Sequence, residues 1–281
     1  MTQTNDQVWF ITGANKGLGA AFAKEALGKG YKVVATARKT EGMEKILGDS
    51  PNLLTVSLDI TNEEQVQSSV NAALDRFGRI DVLINNAGYS QLGFFEEMSE
   101  GLIRQQMETN VFGTMKLTRA VLPTMRKQGS GWIIVISSAS GVRSVEGGSI
   151  YSASKFALEG WTEGLSVELK PFGIRCMLVE PGPFRTDFLN EQTSVKYSDI
   201  EIGDYKQRRE AMRGSFVLAD QKQPGDPAKL SKALMMALDA SNPPLRLLAG
   251  KRTVETIDQY FQGRLSEYQD WREVSANTDF D

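Results

Sequence analysis

Short apolar runs and longer amphipathic stretches take turns along this chain. Apolar runs of strand length fall at residues 7–11, 31–36, 53–58, 81–84, 132–137, 174–179 and 245–248. Such runs, bounded by turn residues, read as buried strands. Between them, residues 20–27, 101–127, 150–169, 202–212 and 224–239 carry helical periodicity. A further helix opens at Thr61, where Glu64 three residues on suggests a capping box. Pro171 closes the 150–169 helix. Strand and helix in strict alternation predict an α/β chain: a parallel sheet of about seven strands with helices on both faces. No repeat, low-complexity segment or Gly/Ser/Pro linker interrupts it, so residues 1–281 read as one domain. Residues 7–186 form its core. Residues 187–222 are polar and charged, with Tyr197, Tyr205, Phe216 and Leu218 spaced through them. Residues 223–281 add the last strand and C-terminal helices. Ligands of such a sheet bind beyond the carboxyl ends of its strands. Gly13, Asp59, Asn85, Ser138 and Pro181 all fall at those ends.

Composition narrows the chemistry. A length of 281 residues is ample for a sizeable core. The formal net charge of −3 gives no polycation signal for a nucleic-acid partner. One cysteine, Cys176, rules out an internal disulfide and fits a reducing compartment. It lies in the 174–179 run and reads as a small buried hydrophobe. The chain has no histidine, which removes Ser-His-Asp hydrolases, Cys-His proteases and His-based metal sites. No metal is expected. No apolar run reaches the ~18 residues of a membrane span, and the polar residues 1–7 lack a signal-peptide core. The expectation is a soluble cytoplasmic protein without a membrane partner.

The stretch from Ser137 to Lys155 holds an acid–base set. Tyr151 and Lys155 are spaced i,i+4, which puts both on one helix face. An ammonium beside a phenol stabilises the phenolate and is expected to pull the Tyr pKa toward neutrality. Such a phenol exchanges a proton with a carbonyl or alcohol oxygen. Ser138 ends the strand before it, where its hydroxyl reaches the same oxygen. A Tyr-x-x-x-Lys pair also occurs as a half-buried tyrosine beside a solvated lysine. Upstream, the 7–11 strand runs into Thr12-Gly-Ala-Asn-Lys-Gly-Leu-Gly19 and then into a helix and a second strand. That is the unit of a dinucleotide-binding half. Gly13 allows a tight turn, Gly17 lets backbone approach a pyrophosphate, and Gly19 allows close helix packing. The helix N-terminus favours phosphate. A Gly-rich turn can also be a plain helix entry.

Taken in order, these motifs resemble the classical short-chain dehydrogenases/reductases over residues 8–186. Thr12 to Gly19 is similar to the family's cofactor glycine motif. Asp59 is similar to its adenine-binding acid, and Asn85-Asn86-Ala87-Gly88 to the motif that steadies the central strand. Asn110, Ser138, Tyr151 and Lys155 match its catalytic tetrad. Pro181-Gly182 and Thr186 match the segment along the nicotinamide. The resemblance implies a single Rossmann-type doubly wound domain. It implies Tyr151 as proton donor or acceptor, Lys155 on the nicotinamide ribose, Ser138 on the substrate oxygen and Asn110 on a relay water. The implied cofactor residues are Gly13, Asn15, Lys16, Gly17, Leu18, Gly19, Arg38, Asp59, Ile60, Asn86, Ala87, Gly88, Tyr151, Lys155, Pro181, Gly182 and Thr186. Residues 187–222 take the place of the substrate loop or lid. The long C-terminal region and Glu180 are similar to the hydroxysteroid and retinol dehydrogenase branch.

Cofactor choice is read just after the second strand. An acid there binds the ribose 2′-hydroxyl of NAD. This chain has Ala37-Arg38-Lys39 instead, and no acid before Glu41. Arg38 suits a 2′-phosphate, with Lys16 as the family's second cation, so NADP(H) is expected. The substrate walls implied are Ser138, Ser140, Val145, Tyr151, Phe184 and Phe188, with Tyr89, Leu92, Phe94, Phe95 and Val142 beside them. Their apolar character suits a hydrophobic ketone, aldehyde or secondary alcohol. Arg143 holds an anionic group or is simply solvated. Two functions stay open: an NADPH-dependent carbonyl reductase or alcohol dehydrogenase, and an NADP(H)-binding regulatory or sensor protein. The intact tetrad favours the enzyme. An epimerase or dehydratase fits the motifs less well. The helices at 101–127 and 150–170 resemble those that pair subunits in the family, which implies a homodimer or homotetramer.

Overall fold

The computed structural model describes residues 6–280; residues 1–5 of the polar N-terminus and Asp281 lie outside the described residues. Seven strands form one parallel sheet: β1 (Val8–Thr12), β2 (Lys32–Ala37), β3 (Leu53–Ser57), β4 (Val82–Asn85), β6 (Gly131–Ile136), β7 (Ile174–Pro181) and β9 (Arg246–Ala249). Their order is β3-β2-β1-β4-β6-β7-β9. Helices α1 (Gly17–Gly28), α2 (Met43–Leu47), α3 (Glu63–Phe77), α4 (Glu100–Met107), α5 (Thr114–Gln128), α6 (Ser149–Leu169), α7 (Lys206–Ala219), α8 (Pro227–Asp239), α9 (Lys251–Asp270) and α10 (Arg272–Ala276) complete the order. The architecture is the expected Rossmann-type one.

The central strands are largely apolar because both faces of the sheet are covered. In β1, Trp9 and Ile11 enter one core, with residues of α1 and α8. Val8 and Phe10 enter the other, with residues of α3, α5 and α6. In β7, Met177 and Val179 join the first core, while Cys176 and Leu178 join the second. Cys176 is thus the small buried hydrophobe expected, and burial pushes its thiol up to about 12. The strand order reverses between β1 and β4, which opens a crevice at their carboxyl ends.

The structure corrects several boundaries. Helix α3 is capped by Asn62, not Thr61: the Asn62 side chain accepts from Gln65 N at 3.0 Å. Thr61 instead bonds Asp59. The helix expected over 101–127 is two helices joined by a π-helical turn at Glu108–Gly113. There Gly113 passes so close to Ile60 that a Cβ would sit 2.7 Å from Ile60 Cγ1. The helix expected at 202–212 begins at Lys206 and runs to Ala219. The helix expected at 224 begins at Pro227, capped by Asp226 on Ala228 N at 2.8 Å. Residues 224–226 stay out of it because Gly225 bridges Phe184. A second, two-stranded parallel sheet pairs β5 (Ser90–Leu92) with β8 (Val195–Tyr197). Strands of three residues are too short to show a period, so the sequence pattern misses them.

Candidate active site

The turn after β1 is stitched to the end of β4. Thr12 Oγ1 accepts from Asn86 N and Ala87 N, both at 2.9 Å, and Asn86 Nδ2 donates to Thr12 O at 2.8 Å. Two glycines of the turn take left-handed φ, Gly13 at +64° and Gly17 at +57°. A Cβ on Gly19 would lie 2.4 Å from Gly13 O and 2.6 Å from Asn86 Nδ2, so α1 can seat on the turn only as glycine. Helix α1 has no side-chain cap, the usual setting for an anion at a helix N-terminus. Thr186 faces the turn, 3.5 Å from where a Gly17 Cβ would stand. Asn15 and Leu18 are half-buried in the same turn.

Arg38 follows β2, exposed, and Asp59 follows β3, half-buried. Burial opposes Asp59's ionisation, but two hydrogen bonds from Thr61 and the charges of Arg38 and Lys116 hold its carboxyl below the ordinary value. Lys16 reaches across to the segment after β7, donating to Ser194 Oγ at 2.9 Å and Thr193 O at 3.2 Å. Burial lowers its pKa; Asp187 opposes that and Arg38 adds to it. Lys16 and Arg38 therefore feel one another's charge. The side chain of Ile60 is committed to the core beside Gly113.

The acid–base set converges at the end of β6. Tyr151 and Lys155 lie on one face of α6, both buried. Lys155 Nζ donates to Ile136 O at 2.8 Å. Ser138 Oγ accepts from Ser140 N at 3.0 Å and hydrogen-bonds the Tyr151 side chain. Asn110, in the π-helical turn, donates from Nδ2 to Tyr89 O at 3.0 Å and to Ser154 Oγ at 3.2 Å. Ser154 in turn donates to Tyr151 O at 2.7 Å. π-Helical turns often mark functional positions. Here the turn swings Asn110 toward α6.

One expectation is overturned. Lys155 does not draw Tyr151 toward neutrality: burial raises the phenol to about 12, with only Ser138 opposing. The ammonium sits 5.7 Å from the ring centroid and is held by a carbonyl. Burial lowers Lys155 itself to about 8, partly offset by Glu159.

The family model for short chain dehydrogenases matches residues 7–196. The chain belongs to the short-chain dehydrogenase family. Oxidoreductase BOA17 of Botryotinia fuckeliana is 34% identical over 275 residues, covering 96% of this chain and 98% of its own. Human retinol dehydrogenase 8 is 32% identical, with 88% and 84% covered, which accords with the expected branch. A short-chain dehydrogenase from Streptomyces avermitilis superposes with TM-score 0.89 at 42% identity, covering 98% and 99%. A Burkholderia phymatum member in complex with NAD has TM-score 0.82 at 25% identity, covering 100% and 99%. A Burkholderia cenocepacia dehydrogenase in complex with NADP has 0.72 at 27%, covering 95% and 98%. A nicotinamide dinucleotide is thus the family's cofactor.

In this dehydrogenase the expected substrate walls separate. Phe188 stands over the site, its ring 6.0 Å from that of Tyr151. Phe184 does not: it is buried in the first core, and a Cβ on Gly225 would meet its ring at 2.6 Å. Ser140 contributes its backbone N–H to Ser138. Val145 is exposed and lines a cavity of about 470 Å³ with Phe94, Phe95 and Tyr205. Leu92 is buried in the small sheet, and Arg143 is exposed. Gly182, after β7, is gripped by α9, where a Cβ would overlap Thr253.

Sequence reasoning missed what fastens the segment 187–222. Glu97, fully buried, pairs with Arg209 of α7 and accepts from Ile202 N at 2.9 Å. Tyr205 stacks on Phe94 at 4.6 Å, and Ser99 bonds Asp199. A charge pair separated by 112 residues leaves no local signal. Among the described residues, no helix is long and apolar enough to cross a membrane, and no three acidic or cysteine side chains group as a metal site.

Proposed function

We propose that the chain is an NADPH-dependent carbonyl reductase and alcohol dehydrogenase for a hydrophobic ketone, aldehyde or secondary alcohol. One observation carries the reading: Ser138, Tyr151 and Lys155 meet in a buried cluster where the crevice opens. NADP(H), when bound, supplies or takes up the hydride. The residues fit such a dinucleotide. The glycine turn is packed too closely for any side chain at Gly19, and the uncapped start of α1 would receive the pyrophosphate. Asp59 would hold the adenine. Arg38, exposed where an NAD enzyme carries an acid, would meet the 2′-phosphate, with Lys16 in range to assist.

Tyr151 holds a proton for the substrate oxygen, and its raised pKa keeps that proton on at neutral pH. Ser138 fixes the same oxygen. Lys155 would hold a ribose hydroxyl of the bound dinucleotide and keeps a positive charge behind the phenol. Asn110 ties the π-helical turn to α6 through Ser154. Phe188 beside Tyr151 excludes water and favours an apolar substrate. The similarity to retinol dehydrogenase 8 supports the same class.

Tyr151→Phe tests the assignment. A general acid contributes about 10²–10⁴-fold. Turnover should fall by that order while NADPH binding, read by fluorescence titration, stays near the native value. Undiminished turnover would remove Tyr151 from the role.

A further inference from the structure

Two buried carboxyls lie behind the Tyr151–Lys155 face and have no part in the chemistry above. Glu159 stands one turn after Lys155 on α6; Glu180 is the last residue of β7 before Pro181. They are 7% and 3% exposed. Their carboxyls come within hydrogen-bonding reach of each other. Ionised carboxylates only accept, so such a contact forms when one of them carries a proton. Each has an oxygen, Oε1, that is buried with no donor among the described residues. The pair is short of a hydrogen.

Arg246 of β9 anchors the cluster. Its Nε lies 3.1 Å from Glu159 Oε2 and 3.6 Å from Glu180 Oε1, and its guanidinium also pairs with Glu163. Strand register explains this: Glu180 stands opposite Leu248, and Arg246 opposite Leu178. Both therefore face α6, whose i,i+4 stripe carries Lys155, Glu159 and Glu163. Gly141, in the loop after Ser138, rests on the same stripe. A Cβ there would sit 3.2 Å from both Glu159 Cγ and Lys155 Cβ. The ionisable groups facing the pair are Lys155 and Glu163 from α6, Arg246 from β9, and Cys176 on the same face of β7, a neutral thiol. The loop after β6 brings Ser137 and Gly141, without charge.

We propose that Glu159 and Glu180 share one proton, and that the single negative charge of the pair, set one helical turn from Lys155 by the positioning residue Glu159, keeps Lys155 charged beneath Tyr151. The inference rests on the assignment of Tyr151 and Lys155 made above. Burial, and then the neighbouring Glu159, raises Glu180 above the ordinary carboxyl range. Burial works against the Lys155 ammonium, and Glu159 is the charge that supports it. Glu180 keeps the net charge of the pair at one, since two carboxylates this close cannot both ionise freely.

The test titrates Lys155 in the full-length protein without added cofactor, by NMR of ¹³C-lysine label, the signal assigned by its loss in Lys155→Arg. Glu180→Gln, which leaves Glu159 as the one carboxyl, should keep Lys155 proton binding within about twofold of the native value. The double variant Glu159→Gln/Glu180→Gln, where no carboxyl can take over the charge, should weaken it by about tenfold. An unchanged Lys155 titration in the double variant overturns the proposal, as does a shift of the same size in Glu180→Gln alone. Infrared difference spectra at neutral pH give a second reading if the double variant fails to fold. A protonated-carboxyl band should be present in the native chain and absent in Glu180→Gln; its absence from the native chain overturns the proposal. Neither result depends on turnover, so failure here stands apart from failure of the Tyr151 assignment. That assignment is judged by Tyr151→Phe alone.

Discussion

In the proposed reaction Tyr151 would meet the carbonyl already protonated, because burial holds the phenol at about 12. Carbonyl reduction needs that proton; alcohol oxidation must first remove it. Lys155, lowered to about 8 by burial, is charged below that pH and neutral above it. Reduction with NADPH should therefore hold steady near neutrality and fall as pH rises through about 8, while oxidation rises with pH as the phenol ionises. Initial rates in both directions from about pH 6 to about pH 10 check this; reduction that climbs through that window contradicts it. Arg38 makes a separate expectation. Arg38→Ala should weaken NADPH by ~1–3 kcal/mol, the scale of a charged hydrogen bond, and NADH little. Equal losses in titrations with the two cofactors would mean that Arg38 does not meet a 2′-phosphate. The meeting of Ser138, Tyr151 and Lys155 was legible in the sequence because i,i+4 spacing puts two of them on one helix face and the third ends the neighbouring strand. The direction of the Tyr151 shift was not, since it depends on how deeply α6 is buried. Phe184 was misread because an aromatic after the Pro-Gly segment suits a pocket wall and a core equally well.

The elements differ in how much the sequence shows of them. The long strands were legible to within a residue or two because two-sided burial makes them continuous apolar runs. The break between α4 and α5 was hidden: a π-helical turn keeps helical periodicity and adds one residue, and its cause lies in contacts of Asn110 and Gly113 with distant loops. The β5–β8 pair and the Glu97–Arg209 clamp are non-local in the same way. That clamp carries its own expectation. Glu97 is 0% and Arg209 8% exposed, and removing one partner of a buried pair leaves a charge unpaired, at about 3–5 kcal/mol. Arg209→Ala should lower stability in denaturant unfolding on that scale. It should also raise KM for the carbonyl substrate more than it changes KM for NADPH. A neutral effect on both would show that α7 is not held to the 94–99 loop in solution. The Glu180 carboxyl adds a pH signature. Its pKa is raised in the folded chain, so its contribution favours folding at low pH and is lost as pH rises through the neutral range. Glu180→Gln should therefore raise the melting temperature at alkaline pH and change it little in acid.

At the scale of the whole molecule, the strand reversal between β1 and β4 decides where everything else happens. It gathers the glycine turn, Asp59, the Asn85–Gly88 segment, Ser138 and the Pro181–Gly182 segment at one edge of the sheet. These positions are far apart in the chain yet were legible together, because each falls where a strand ends and strand ends share one edge of a parallel sheet. The substrate was not legible, since the pattern of strands does not constrain the segment 187–222 and the helices around the crevice. A ligand that binds only the folded chain stabilises it in proportion to its affinity. NADPH should thus raise the melting temperature more than NADH at equal concentration. The most direct test of the account is parallel oxidation of NADPH and NADH against aryl ketones, diketones, aldehydes and steroids, with Tyr151→Phe as control. The account predicts turnover of an apolar carbonyl with NADPH, much less with NADH, and almost none in the variant. Turnover with NADH alone, or no turnover on any carbonyl despite tight NADPH binding, would contradict it.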